Sequence, residues 1–345
     1  MSLKNTTKRR IKKYILEKLE IQEVSLAKKV ADNFGISLTT VYRYIHELED
    51  EGIIVKENNK YLLSETRDIK VYDTNQVLEE DKIFGEMMEN AVVKLPENVY
   101  RIWQYAFTEM MNNAIDHANA KEITVYVAYN SASTKVIIED DGVGIFDKIK
   151  EYYGYDSLDD AVNELFKGKL TTDSENHTGE GIFFTSRVIE NFGVLSGGKI
   201  FTHNTHFDIT RNVEDVPQLC KLKDSKGTKV VMIMPNNSRV NIKEVFDMFS
   251  DVDKGFMKTE IPLKNIFTDG FPVSRSQAKR LSTRFDDFEE VILDFDKIDD
   301  IGQGFAHELF VVFKRNHPDV NITIKNVNDD VKKMIGHVNA REKEH

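Results

Sequence analysis

The chain has a single cysteine, Cys220, so no intrachain disulfide can staple it. It has no run of about 18 apolar residues, so no membrane-spanning helix is expected. Its opening, MSLKNTTKRR, places no apolar segment behind the charges and so lacks the signal-peptide pattern. These absences point to a cytoplasmic protein. What is present suits folded domains: 345 residues, 40% hydrophobic and 10% aromatic, enough for two or three domains. The net charge of −11 is unevenly spread. Residues 1–63 hold 12 Lys and Arg against 9 Asp and Glu, a surplus of three positive charges. The remainder holds 35 against 49, a deficit of 14. A basic end on an acidic body implies that only the first segment approaches a polyanion.

The densest chemistry lies in the middle. In FTEMMNNAIDHA, Glu109 and Asn113 stand four apart, which puts an acid and an amide on one helix face. Then an apolar strand, VIIED, runs into Asp140, Asp141, Gly142 and Gly144. A second glycine segment, HTGEGIFFTSRVIENF, sets Gly179 and Gly181 at a helix start, where free N–H groups favour phosphate. GTKVVMIMP places Thr228 at the head of a strand. Each piece alone has an ordinary reading: Asp-Asp-Gly is a common turn, and a helical Glu is usually solvated.

In order and at these distances, the four pieces resemble the GHKL superfamily of gyrase-type topoisomerases, chaperones, histidine kinases, mismatch-repair proteins and anti-sigma-factor serine kinases. The resemblance covers roughly residues 77–235. It implies ATP with Mg²⁺ as cofactors. Asn113 would be the metal ligand, enough for an ion that keeps waters and phosphate oxygens. Glu109 would be the general base. Asp140 would accept from the adenine amino group, with Asp141 on the variable position. Gly142 and Gly144 would let backbone approach the base, Gly179 and Gly181 would bind phosphate, and Thr228 would support the adenine end. Residues 147–178 would be the lid. Within it SLDDAVNELFKG reads as a short helix capped by Ser157 or Asp159 and stopped at Gly168. TTDSENHTGEG reads as a polar loop. Lys167 and Lys169 are candidate phosphate contacts or, more simply, solvated lysines. His117 reads as a packing residue.

The first 63 residues read as three helices and a β-hairpin. Ile11, Tyr14, Ile15, Leu16 and Leu19 have helical spacing; VSLAKKVADNFG starts at Ser25, and ISLTTVYRYIHELEDEG at Ser37. IIVKENNKYLLS gives two strands about an Asn58-Asn59 turn. This pattern, and TTVYRYIHELEDEGII especially, resembles a bacterial winged helix-turn-helix. The resemblance implies double-stranded DNA as partner, with the third helix in the major groove. Ser37, Thr39, Thr40, Tyr42 and Arg43 are the candidate contacts on that helix. Arg43 suits guanine and phosphate equally. Lys56, Asn58 and Lys60 are candidates on the wing. Lys8, Arg9, Arg10, Lys12 and Lys13 would add phosphate contacts. A winged helix used only for protein contacts is the alternative. SETRDIKVYDTNQVLEED follows with no apolar period and reads as a linker.

From residue 256 the sequence alternates strand, turn, helix, strand, helix, which implies a parallel crossover. VILDF and NITIKNV are the strands. LDFDKIDDIGQGFA resembles the STAS-like domains related to anti-anti-sigma factors. Those carry a phosphorylatable Ser or Thr just before the glycine of this loop. Here Ile301 holds that place within Asp299–Gly304, so the domain is expected to dock a protein partner rather than accept phosphate. His307 lies in no dimerising helix pair and is not read as a phosphoacceptor.

The expected fold is α+β in three parts: a winged helix over 1–66, a GHKL α/β sandwich with a mixed sheet covered by helices over 67–240, and a STAS-like α/β domain over 241–345. Three functions compete: a nucleotide-responsive DNA-binding transcriptional regulator, a serine/threonine protein kinase of the anti-sigma-factor type, and a non-catalytic nucleotide-binding scaffold. Both resembled families are often dimeric, so a homodimer is a further expected partner, although no heptad seam specifies one.

Overall fold

The computed structural model describes residues 2–21, 23–170, 179–203, 226–251, 253–268 and 270–342. The polar loop expected at 171–178 therefore lies outside the described residues.

The N-terminal segment forms α1 (Ser2–Glu20), α2 (Leu26–Phe34), α3 (Leu38–Asp50) and a hairpin of β1 (Ile54–Glu57) and β2 (Lys60–Leu63). The apolar spacing read from α1 is the buried face: Ile11, Ile15 and Leu19 pack on Val30, Val41, Ile45 and Leu48. Ser37 caps α3, its side chain accepting from Thr40 N–H, whereas Ser25 makes no cap hydrogen bond. Asn58 and Asn59 both take positive φ, the backbone a two-residue type I′ hairpin demands and asparagine tolerates.

The presumed linker is structured. Residues Thr66–Asp73 form β3, two residues after β2, and it opens the central sheet. Then come α4 (Glu80–Val92), α5 (Glu97–Asn112) with a π-helical turn (Asn113–His117), β4 (Glu122–Tyr129), β5 (Ser133–Asp140), α6 (Ile145–Tyr153), α7 (Leu158–Lys167), α8 (Gly181–Val188), β6 (Asn191–Ser196), β7 (Lys199–Thr202) and β8 (Thr228–Pro235). The sheet order is β3-β4-β5-β8-β6-β7. The expected α/β sandwich is present, but the sheet is not mixed: every pairing among these strands is antiparallel. Tight hairpins join β4 to β5 and β6 to β7, and a hairpin can only pair its strands antiparallel. Alternate residues of β4, β5 and β8, such as Val125, Val127, Val136, Ile138 and Met232, meet Trp103, Phe107 and Met111 of α5 in one apolar core.

The C-terminal part comprises α9 (Ile242–Phe249), a small hairpin of β9 (Ser250–Asp251) and β10 (Gly255–Phe256), β11 (Lys258–Pro262), α10 (Leu263–Ile266), α11 (Arg275–Ser282) and β12 (Glu290–Asp294). A helix then runs through α12 (Gln303–His307), a π-helical stretch (Glu308–Phe313) and α13 (Lys314–Asn316), before β13 (Asn321–Lys325) and α14 (Asp329–Glu342). β12 and β13 are parallel neighbours, as the crossover predicts, and β11 adds a third parallel strand the sequence did not announce. The second large core joins this part to Phe183 and Phe184 of α8.

Candidate nucleotide site

α5 buries Val99, Ile102, Trp103, Ala106, Phe107 and Met110. That turns Glu109 and Asn113 to the other side. Asn113 N–H donates to Glu109 O, so the two stay one turn apart even though Asn113 opens the π-helical turn. β5 alternates buried and half-buried residues and ends on Asp140, only 6% exposed. Its Oδ1 accepts from Gly142 N–H at 2.9 Å and Thr228 N–H at 3.2 Å. Burial pushes the Asp140 carboxyl up, and the two N–H donors oppose that shift. Asp141 has a different task. Its Oδ1 accepts from the N–H groups of Glu122 and Lys121, which hold its carboxyl below the usual range and pin the start of β4.

Thr228 Oγ1 accepts from Ile145 N–H at 3.0 Å, tying the head of β8 to the start of α6. Gly142 packs against the Ala118 carbonyl, which any Cβ there would strike. Gly181 opens α8 against Glu109: a Cβ at 181 would run into Glu109 Oε2. The second glycine segment thus meets the acid, and the first packs on Asp140. Glu109, Asn113, Asp140, Gly144, Gly179, Gly181 and Thr228 all line one cavity of about 290 Å³. Gly142 does not line it; it supports Asp140 from behind.

Two further groups line the cavity, and a third lies one turn before Glu109. Lys148, one turn into α6, lines the cavity and donates from Nζ to His117 O at 2.8 Å. Its position four residues after Gly144 was the signal available. His117, read as packing, lines the cavity as well. Tyr105 lies one turn before Glu109, and its hydroxyl is pushed up by burial and then by the charges of Glu109 and Glu180. Glu180 is itself raised by burial, with Lys169 opposing.

Lys167 is buried and Lys169 half-buried, and neither lines the cavity. Lys167 is 1% exposed and pairs with Glu164 Oε1 at 2.5 Å. It also donates to Thr283 O at 2.8 Å, in the C-terminal part. Burial pulls its ammonium below the usual lysine value, against the attraction of Glu164. Arg284 reaches back to Glu164 Oε2 at 3.3 Å and Lys169 O at 2.6 Å. Lys169 Nζ donates to Asp287 O at 2.7 Å, and Thr259 Oγ1 to Lys167 O at 2.7 Å. Ser157 caps α7 as expected, accepting from Asp160 N–H. The end of α7 is thus clamped by the C-terminal part just where the chain turns to Leu170, whose N–H meets Gly179 O at 3.1 Å.

The turn that holds Ile301 in place of a hydroxyl residue buries that one side chain and exposes its acidic neighbours. Ile301 is 1% exposed, in the core. Gly302 N–H donates to Pro272 O and Phe305 N–H to Val273 O, so residues 272–273 lie against the start of α12. An apolar side chain at 301 completes the core, while Asp299, Asp300 and Gln303 on either side of it stay exposed.

On the N-terminal segment, Thr39, Tyr42, Arg43, Lys56 and Lys60 are exposed. Ser37 and Thr40 are occupied with each other: Ser37 Oγ accepts from Thr40 N–H at 3.2 Å and lies 2.9 Å from its hydroxyl. The Arg43 guanidinium sits over the Tyr44 ring at 5.0 Å. Lys56 lies over Tyr61 at 5.4 Å. Lys8 and Lys12 face inward: both reach Glu47, at 2.8 and 3.1 Å, and Lys12 also reaches Glu51 at 2.7 Å. They staple α1 to α3, leaving Arg9, Arg10 and Lys13 as the exposed cations of that cluster.

An antiparallel sheet under helices carries an acid–amide helix and two glycine segments around one cavity. Residues 98–238 match the family model of the histidine kinase-, DNA gyrase B- and HSP90-like ATPases. Residues 277–332 match that of a STAS-like domain of unknown function, and residues 1–76 that of the Firmicute plasmid replication protein RepL. No curated protein matches the chain. Among the described residues no helix is long and apolar enough to cross a membrane.

Proposed function

We propose that the chain is a nucleotide-responsive DNA-binding regulator whose central domain binds ATP with Mg²⁺. The observation that carries this is the convergence of seven sequence-marked residues on one cavity. Asp140 commits Oδ1 to two backbone donors. That leaves Oδ2 as the acceptor for an adenine amino group, with Gly142, Gly144 and Thr228 shaping the adenine end. Gly179, Gly181 and Lys148 serve the phosphates. Among the described residues no three His, Cys, Asp or Glu side chains cluster as a metal site. The ion would therefore come with the triphosphate and rest on Asn113. When bound, Mg²⁺ neutralises phosphate charge. Glu109, set beside Gly181, is placed to take a proton from water or from a protein hydroxyl.

Nucleotide state is read at the end of α7, where Lys167, Lys169 and Arg284 link the lid to the STAS-like part. A ligand shifts such an equilibrium only through differential affinity for its states. The N-terminal three helices and hairpin act as a winged helix on duplex DNA. Thr39, Tyr42 and Arg43 form the reading face, Lys56 and Lys60 lie on the wing, and Ser37 and Thr40 serve as its cap. Support comes from the positive surplus of this segment and its likeness to a plasmid replication protein family.

Calorimetry tests the site. ATP affinity should fall in Asp140→Asn and lose its Mg²⁺ dependence in Asn113→Ala; unchanged affinity in both sinks the assignment. Glu109→Ala should keep binding but lose about 10²–10⁴-fold in any turnover. Labelled ATP then separates released phosphate from phosphate carried to a protein.

A further inference from the structure

The two edges of the central sheet are treated differently. At one edge, β7 is covered: Asn265 of the C-terminal part donates to Thr202 O at 3.0 Å. At the other, β3 pairs only with β4 among the described residues. It is a full eight-residue strand, exposed at every position but Tyr72. Ile69 is 65% and Val71 53% exposed. A long exposed edge with apolar residues invites another strand, and proteins usually blunt such edges.

The backbone says which residues would pair. Thr74 N–H donates to Lys121 O across to the β4 side. Counting back by twos, Tyr72, Lys70 and Asp68 send their backbone groups to β4, and Val71, Ile69 and Arg67 send theirs to the open edge. The side chains divide the same way. Tyr72 is buried and its hydroxyl reaches Glu86 on α4, so Asp68, Lys70 and Tyr72 lie on the helix-covered face. Ile69 and Val71 lie on the open face.

We propose that β3 pairs antiparallel with β3 of a second copy, on a two-fold axis through Ile69, to make one continuous sheet. Self-complementarity selects the occupant and the register. With Ile69 opposite Ile69, Asp68 of each copy stands opposite Lys70 of the other, giving two opposite-charge pairs. These are non-hydrogen-bonded pairs, the kind whose side chains come closest. Shifting the axis to Lys70 keeps the helices on one face but sets Lys70 against Lys70, a like-charge pair at the closest spacing. Lys70 already pairs with Glu86, so each new contact extends an ion pair rather than stranding a charge. A single strand pair is a small contact beside the roughly 1,200–2,000 Å² of a standard interface. The association is therefore weak and concentration-dependent. The two N-terminal segments, each two residues ahead of β3, then leave the paired strands at opposite ends. On the DNA-binding reading above, that symmetry fits an inverted repeat.

Sedimentation of the full chain, without nucleotide or DNA, tests pairing independently of the functional reading. The mass should rise to that of a dimer with concentration, and Ile69→Arg and Asp68→Lys should each lower dimer content. Cysteine cross-linking tests register. In a Cys220→Ser background with copper phenanthroline as oxidant, Ile69→Cys should cross-link to its own copy. Val71→Cys, displaced along the strand from its copy, should not. ATP binding by each variant checks that it is folded. A wild-type chain that stays monomeric into the tens of micromolar overturns the proposal and leaves the edge to a strand of another protein. Preferential cross-linking at 71 over 69 overturns the register.

Discussion

The ATPase body meets its two neighbours through unlike junctions. On the N-terminal side only Ser64 and Glu65 separate the hairpin from β3. The N-terminal core runs from Ile11 to Leu63 and takes in no residue beyond. On the C-terminal side there is no comparable seam. Phe184 of α8 stacks on Phe246 at 4.0 Å, and Tyr105 of the Glu109 helix meets the same ring edge-on at 5.4 Å. Arg187 of α8 donates to Glu260 O on β11 at 2.9 Å. A shared apolar core with buried ion pairs moves as one piece, because packed cores are not continuously deformable. The C-terminal part thus shares a core with α8 at the nucleotide cavity, whereas the N-terminal segment has its own core and adjoins the body at the edge strand.

Breaking the tight junction should have the largest effect. Lys167→Ala strands Glu164 in a buried site, and losing one partner of such a pair typically costs about 3–5 kcal/mol. Arg284 remains beside Glu164, which argues for the lower end. Calorimetric melting should show the body and the C-terminal part destabilised together. If the C-terminal part melts earlier by itself, the two are not one unit.

Gly181→Ala comes next. The added Cβ displaces only the Glu109 carboxylate, the end of a flexible side chain, at a cost of about 0.5–1.5 kcal/mol. It should appear in ATP affinity, where 1.4 kcal/mol is about tenfold. Unaltered titration curves would mean that α8 does not face the triphosphate.

A change no larger than that is expected at the loose end. Ser37→Ala removes a cap worth about 1 kcal/mol. Chemical shifts should report it within residues 1–63 while those around Asp140 hold still. Deleting residues 1–63 should have the least effect of all on the body: the same ATP affinity, with duplex DNA binding abolished. A truncated chain that still retains DNA would move the nucleic-acid surface elsewhere.

The sequence showed most of what is local. Helix faces in the N-terminal segment, the Asn58-Asn59 turn, the crossover of β12 and β13 and the cavity-lining residues all rest on period, turn chemistry or glycine placement. What it concealed depends on distant neighbours. β3 escaped because its apolar alternation is only two residues long, Ile69 and Val71, set among Arg67, Asp68 and Lys70. Lys167 and Lys169 look solvated in the sequence because they flank the glycine that ends α7. Glu164 and the docked carbonyls of Thr283 and Asp287 explain their positions. Lys8 and Lys12 counted as part of a basic cluster until the carboxylates of α3 claimed them.

The π-helical turn at Asn113–His117 has a consequence for how this chain can change length. A π turn holds one residue more than the α turn it replaces, so it acts as slack in the thread. Removing a residue just after Asn113 would let the turn relax to α while Glu109 and Asn113 keep their face. An added residue finds no such reserve and must rotate Ala118, the carbonyl beneath Gly142, out of register with the adenine end. Among relatives, this stretch should therefore tolerate shortening by one residue and resist lengthening.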